Sequence, residues 1–289
     1  MADRNVIQRV AFAAVAIPLA LLVVWWGGWP LAALVSAIAV LGVRELYDLA
    51  ARQGVAPLRG LGLATAAALP LVALGVVLRL PWALAIADWA PWLAALWVLL
   101  LLSWLLAARG PAEKPLGAAA VTLFGVAYAA ALPSFLLALR HGQHGGRSWP
   151  GTWLVFFPLV VIWICDTAAM FGGRAIGGPK LAPSVSPGKT RSGSLAGVAG
   201  GLLVAPLFAF GFFRAVGLEP PLWQLLVIAL VLSVLGQVGD LAESLFKREA
   251  GVKDSSALIP GHGGVLDRFD SLYVAIPLTA ALYRLFGLA

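Results

Sequence analysis

Long apolar runs alternate with short polar breaks along the whole chain. Nine of these runs, at 7–26, 31–51, 60–79, 90–108, 117–139, 151–172, 193–214, 222–246 and 271–288, are candidate spans. A helix needs about 20 residues to cross a roughly 30 Å hydrocarbon core, and runs of this length meet that requirement. The pattern predicts an all-α, polytopic integral membrane protein of about nine transmembrane helices. The first run follows a short charged head (Asp3, Arg4, Arg9) and lacks a small-residue cleavage site before Trp25-Trp26, so it reads as a retained helix.

Composition agrees with the pattern. Of 289 residues, 61% are hydrophobic and 11% charged, with a mean hydropathy of +0.94. Soluble domains carry about 25% charged residues to wet their surface. With the N-terminus in the cytoplasm, 15 of the 20 Lys and Arg residues fall on the cytoplasmic side and 5 on the far side. That asymmetry obeys the positive-inside rule and predicts nine spans, N-terminus in and C-terminus out. The pI near 10.1 is explained by basic residues at helix ends facing anionic headgroups, not by nucleic acid. Cys165 is the single cysteine, which excludes an intrachain disulfide; inside the sixth run it serves as a small apolar residue.

Residues 1–150 read as an N-terminal set of about five spans with short loops. Arg44, Glu45 and Asp48 near the end of the second run suit a structural i, i+4 Arg–Asp pair. His141 and His144 lie in a Gly-rich outer stretch that reads as a solvated loop. Residues 151–289 differ in kind and form the candidate catalytic region. The segments 166–193 and 240–270 hold nearly all the chain's combinations of acid, base, glycine and hydroxyl, with cytoplasmic loops at 173–192 and 247–270. Neither segment is long enough for a soluble nucleotide-binding domain, so the chemistry belongs at the membrane face.

The first segment runs through Asp166, Arg174, Lys180, Ser186, Lys189 and Thr190. An ionisable group inside a span faces either a charged partner or a wet cavity, and both fit Asp166. Gly188-Lys189-Thr190 is not the end of a Walker A loop, because Pro183 stands where that motif needs glycine. The loop is either a phosphate-holding turn or a basic topology signal. Gly193, Gly197 and Gly201 follow at a spacing that lets membrane helices approach closely, within the subunit or across a dimer.

The second segment is richer. Asp240, Glu243, Ser244, Lys247 and Arg248 fall on one helical stripe, with Gly236 and Gln237 extending it into the bilayer. Lys253, Asp254, the glycines around His262, then Asp267, Arg268 and Asp270 complete it. Asp240 and Asp267 bracket the loop, and a hairpin fold would let both carboxylates meet over Mg²⁺ or a metal pair. Singly, Asp267 suits an N-cap and Lys247 a snorkelling anchor. A connecting loop does not need so many unlike polar groups together.

Ser244, Lys247-Arg248, Lys253-Asp254, Pro260-Gly261-His262-Gly263-Gly264, Asp267-Arg268 and Asp270, in gapless order, resemble the signature of phosphatidate cytidylyltransferases, the CDP-diacylglycerol synthases. Asp166-Thr167, Gly173-Arg174, Lys180-Leu181 and Ser186-Pro187 with Lys189-Thr190 resemble an earlier block of that family, and together the blocks cover about a third of the chain. One departure stands at Arg191-Ser192-Gly193, where family members commonly carry Glu-Gly; any role of that glutamate does not transfer. The resemblance implies a Mg²⁺-dependent reaction of CTP with phosphatidate and a homodimer in the cytoplasmic (inner) membrane. A second cation at the same site is a further expectation, and the charge count sets the site on the cytoplasmic face. It implies metal ligation by Asp240 and Asp267. Lys247, Arg248, Lys253, Asp254, His262, Arg268 and Asp270 are then the expected catalytic set. Asp166, Arg174, Lys180, Ser186, Lys189, Thr190 and Ser244 are the expected substrate-binding set. A membrane lipid kinase would share the metal and basic residues but needs a base near an alcohol. An ion-coupled transporter would gather its polar residues at the bilayer midplane and carry internal repeats, which this sequence lacks.

Overall fold

A computed structural model describes residues 17–259, 261 and 263–288. The charged head, the start of the first run and His262 lie outside the described residues. The chain is helical almost throughout. Helix α1 (Ile17–Trp26) turns at Gly27 and Gly28, both at positive φ, into α2 (Gly28–Arg52). There follow α3 (Arg59–Val77), α4 (Pro81–Asp88), α5 (Ala90–Ala108), and α6 (Pro115–Val126) joined through a π turn to α7 (Leu132–His141). The second half comprises α8 (Trp149–Ile176), a hairpin of β1 (Lys180–Ala182) and β2 (Ser186–Thr190), then α9 (Arg191–Leu207), α10 (Leu222–Glu249) and α11 (Leu266–Phe286).

Among the described residues, seven helical stretches are long and apolar enough to cross a membrane; α1 is a shorter apolar helix. The 21-residue α11 matches the ninth expected run but begins five residues earlier, at Leu266 instead of 271, and takes in charged Asp267, Arg268 and Asp270. Helix starts follow local chemistry. Ser148 accepts from Gly151 N at the head of α8, and Thr190 from Gly193 N at the head of α9. Prolines occupy the first turns of α4, α5, α6 and α8, where no N–H is missed. The π turns at Ala127–Ala131 and Phe208–Phe213 lie beside Pro133 and Pro206, which cannot donate to the α-helical ladder.

Four local expectations are corrected. The chain between 79 and 90 is not a plain loop: Arg79 takes a positive φ and Pro81 restarts a helix of 8 residues, too short to span. Residues 180–190 form an antiparallel hairpin, with Lys180 opposite Thr190 and Ala182 opposite Ser186. Asp48 pairs with Arg59 at 2.5 Å across the α2–α3 turn, not with Arg44. His141 is buried, and its Nε2 accepts from Gly28 N at 2.8 Å. Beside it the fully buried Arg140 donates to the carbonyl oxygens of Val24, Trp25 and Gly146, closing the end of α1 that Gly27 leaves open.

The glycine stripe packs inside the subunit. A Cβ at Gly197 would come within 2.9 Å of Cys165 O, and one at Gly193 within 2.6 Å of Ala169 O, so α9 lies directly on α8. Beyond the stripe, Phe157, Phe208 and Phe213 fill a core shared with Leu225, Ile228 and Ile276, and with Leu31 and Val35 of α2. Helices α8 and α10 are 28 residues each, about 42 Å at 1.5 Å per residue, longer than the hydrocarbon is thick. The surplus lifts their polar C-terminal turns, together with the hairpin and the 250–265 loop, to one end of the bundle.

Candidate active site

Three elements converge at that end. Helix α8 contributes Asp166 and, after Gly177 and Gly178 (φ +66° and +100°) turn the chain, hands over to the hairpin. Strand β2 aims Lys189 at α10, where its ammonium forms a short ion pair with Asp240. Ser244 donates to the other oxygen of Asp240 at 3.4 Å. One turn deeper, Gln237 Nε2 donates to Ser233 O at 2.8 Å and Ser194 O at 3.3 Å, tying α10 to α9.

The polar stripe on α10 divides between two neighbours. Asp240 and Ser244 serve the hairpin side. Glu243, fully buried, and Lys247, 7% exposed, serve α11: Lys247 Nζ lies 3.2 Å from Glu243 Oε2 and 2.6 Å from Asp267 Oδ1. A buried carboxylate is tolerated only with such a partner. The remaining oxygen of Asp267 accepts from Ser255 N and Gly264 N, each at 2.8 Å, and from Ser255 Oγ at 2.9 Å. Glycine is required at the close of this loop. Gly263 has φ +81°, and a Cβ there would lie 2.6 Å from Asp267 Oδ2, while a Cβ at Gly264 would collide with Ser255 Oγ.

A cavity of about 1390 Å³ opens beside these groups. Its polar end brings together Asp166, Arg174, Lys180, Lys189 and Thr190 from the first segment. From the second come Asp240, Asp267, Arg268 and Asp270. Its other limb runs between α1, α2, α7 and α8 over Val23, Leu31, Val35, Leu136, Phe156 and Trp163. Ser186, Ser244, Lys247, Arg248, Lys253 and Asp254 do not line it. Arg248 is spent on the carbonyls of Val185 and Val252, at 3.1 and 2.9 Å, bracing the hairpin against the 250–265 loop. Lys253 and Asp254 stand exposed on that loop. At the Arg191-Ser192-Gly193 departure, Ser192 Oγ donates to Gly177 O and so closes the hairpin's base.

Sequence reasoning gave Glu45 only a local structural role and did not single out Ser255 for a role. Glu45 Oε2 accepts from Ser255 Oγ at 2.8 Å across 210 positions of sequence. An acidic residue at a buried position of an apolar helix was the available signal; its partner was not readable from spacing.

The arrangement can bind anions through Lys189, Arg174, Lys180 and Arg268, and hard cations through carboxylates. The comparisons with known proteins point the same way. A model of the cytidylyltransferase family matches residues 7–286. The phosphatidate cytidylyltransferase of Brucella suis biovar 1 (strain 1330) is 53% identical over 137 residues, 46% of each chain. That of Bacillus subtilis (strain 168) is 46% identical over 137 residues, 47% of this chain and 49% of its own. That of Haemophilus influenzae (strain ATCC 51907 / DSM 11121 / KW20 / Rd) is 44% identical over 152 residues, 51% of this chain and 50% of its own. The matches thus span about half the length of these curated relatives. With the family model covering nearly the whole chain and its polar end built from the two segments described above, the protein belongs to the cytidylyltransferase family.

Proposed function

We propose that this protein transfers a cytidylyl group from CTP to phosphatidate, forming CDP-diacylglycerol and pyrophosphate. The observation that carries the reading is the two-ended cavity. Its polar end offers cations for phosphates, and its apolar limb continues into the bundle, as an amphiphile with an anionic head requires. A phosphate oxygen of the lipid attacks the α-phosphorus of CTP, and the bond to the β-phosphate breaks. The attacking oxygen is already ionised near neutral pH. No general base is needed, and positioning with charge stabilisation dominates.

The carboxylates fit Mg²⁺. Asp166, Asp240 and Asp270 face one cavity, and like charges so gathered call for a cation. No three His, Cys, Asp or Glu side chains form a ready-made metal cluster among the described residues. Mg²⁺ does not require one, since it commonly takes one or two carboxylates plus substrate phosphates and water. Of the two ligands the resemblance implies, Asp240 carries one ion pair and a long hydroxyl contact, whereas Asp267 is engaged by Lys247, Ser255 and Gly264. Asp240 is thus the more available ligand, with Asp270 lining the same cavity. Bound Mg²⁺ would polarise the α-phosphorus and neutralise the triphosphate. Lys189, Arg174, Lys180 and Arg268 hold phosphate oxygens around it.

The basic-residue asymmetry supports nine spans with the N-terminus inside and the site on the cytoplasmic face of the inner membrane, where CTP is available. The family resemblance supports a homodimer there. The test is incubation of purified protein in detergent with phosphatidate, Mg²⁺ and CTP labelled at the α or the γ phosphate. Label entering lipid only from the α position is expected, with γ label leaving as pyrophosphate. Label entering lipid from γ, with a lipid alcohol supplied in parallel, would make the protein a lipid kinase instead.

A further inference from the structure

The 250–265 loop joins α10 to α11 and carries little regular structure of its own. Within it the described backbone forms one isolated bridge, between Ile259 and Gly263. Two carboxylates hold it instead. Asp267 grips it from α11 through Ser255 and Gly264. Glu45 grips it from α2, in the other half of the chain. Its side chain accepts from Ser255 Oγ at 2.8 Å, Ser256 Oγ at 2.7 Å, Val265 N at 3.0 Å and Leu266 N at 2.7 Å. The last two are N–H groups at the head of α11, which have no partner within the helix. A carboxylate also suits the positive end of the helix dipole. Glu45 is 4% exposed.

Two details separate this clamp from ordinary anchoring. Ser255 Oγ stands within 2.9 Å of both carboxylates, which compete for its single proton, so the place of Asp267 in the cavity wall is coupled to Glu45 through one shared hydroxyl. Gly264 lies against the same junction, where a Cβ would collide with Glu45 Oε2 as well as with Ser255 Oγ. An anchor serving stability alone would not need to meet the group that orients Asp267.

We propose that Glu45 is a positioning residue for the transfer reaction, acting through Ser255 and the first turn of α11 to hold Asp267, which Lys247 braces from α10, at the cavity. The inference rests on the proposed reaction. Its test therefore includes a readout that does not depend on that reaction.

Wild type, Glu45→Gln and Ser256→Ala are compared as the full chain in detergent, by hydrogen exchange over 255–268, by thermal melting and by steady-state kinetics. Displacing a reacting group by about 1 Å can cost as much as 100-fold in rate, so a kcat loss of about tenfold is expected for Glu45→Gln and about threefold for Ser256→Ala. The KM for CTP should stay near wild type, and amides at 264–266 should exchange faster in both variants. Faster exchange with unchanged kcat would overturn the proposal, because the clamp would then serve stability only. Unchanged exchange in Glu45→Gln would overturn it too. Should Glu45→Gln not fold, Ser256→Ala decides alone, since it removes only a partly exposed hydroxyl. Absence of lipid product from wild type would sink the reaction reading, while the exchange data would still judge the clamp.

Discussion

Lys247 donates to Asp267 at 2.6 Å across the turn between the last two helices, and both side chains are less than a tenth exposed. The same ammonium lies 3.2 Å from the fully buried Glu243. One cation thus answers two carboxylates in a region shielded from water. Lys247→Met keeps most of the apolar stem and removes the charge, stranding both acids. Breaking a buried pair this way costs about 3–5 kcal/mol. A marked fall in melting temperature in detergent is expected, with Lys247→Arg far milder. Equal melting of Lys247→Met and wild type would contradict the buried-pair description.

Asp240 and Asp267 separate under the same measurement. The Lys189–Asp240 pair keeps 29% and 23% side-chain exposure and contributes about 0–1 kcal/mol, as half-open pairs do. Asp240→Asn should therefore melt like wild type yet lose nearly all turnover. Asp267→Asn should lose turnover and also stability, since its charge answers Lys247 and its oxygens order the loop. Near-normal activity in Asp240→Asn would remove it from the proposed metal site.

Much of this was readable from sequence. The apolar runs located the long helices because lipid as solvent demands continuous apolar surface, a signal local to each run. The acidic and basic residues of the two polar segments were identifiable for the converse reason. Their contacts were not. The spacing of Asp240, Glu243, Ser244 and Lys247 gives one helix face, but not that Lys189 approaches one side of it and Asp267 the other. The partners of Glu45 were beyond reach, because a contact across more than 200 residues leaves no trace in periodicity. The hairpin at 180–190 was hidden by Pro183, Pro187 and glycine, which weaken any strand signal.

The glycines of the 250–265 loop should respond unequally to alanine. Gly261 has φ +73° and, among the described residues, no atom near its missing Cβ, so Gly261→Ala is expected to meet backbone strain of about 1–2 kcal/mol. Gly264→Ala drives a methyl into Ser255 and Glu45, and overpacking of that kind costs about 1–3 kcal/mol while moving the groups that orient Asp267. A greater loss of kcat is therefore expected for Gly264→Ala, at comparable stability. The reverse order would place the loop's functional constraint at Gly261.

Metal addition should stabilise the protein before any nucleotide is present. Asp166, Asp240 and Asp270 share a cavity in which Lys189, already paired with Asp240, and Arg268 offset only part of their repulsion, which leaves a role for a cation. An ion that binds the folded state alone adds about 2.7 kcal/mol at 100 times its Kd. Mg²⁺ titrated into chelator-treated protein should raise the melting temperature, and Asp240→Asn should blunt the rise. Turnover should vanish with chelator and return with Mg²⁺. A melting temperature indifferent to Mg²⁺, alongside metal-dependent turnover, would mean that the ion arrives only with CTP and that the carboxylates complete its shell without holding it beforehand.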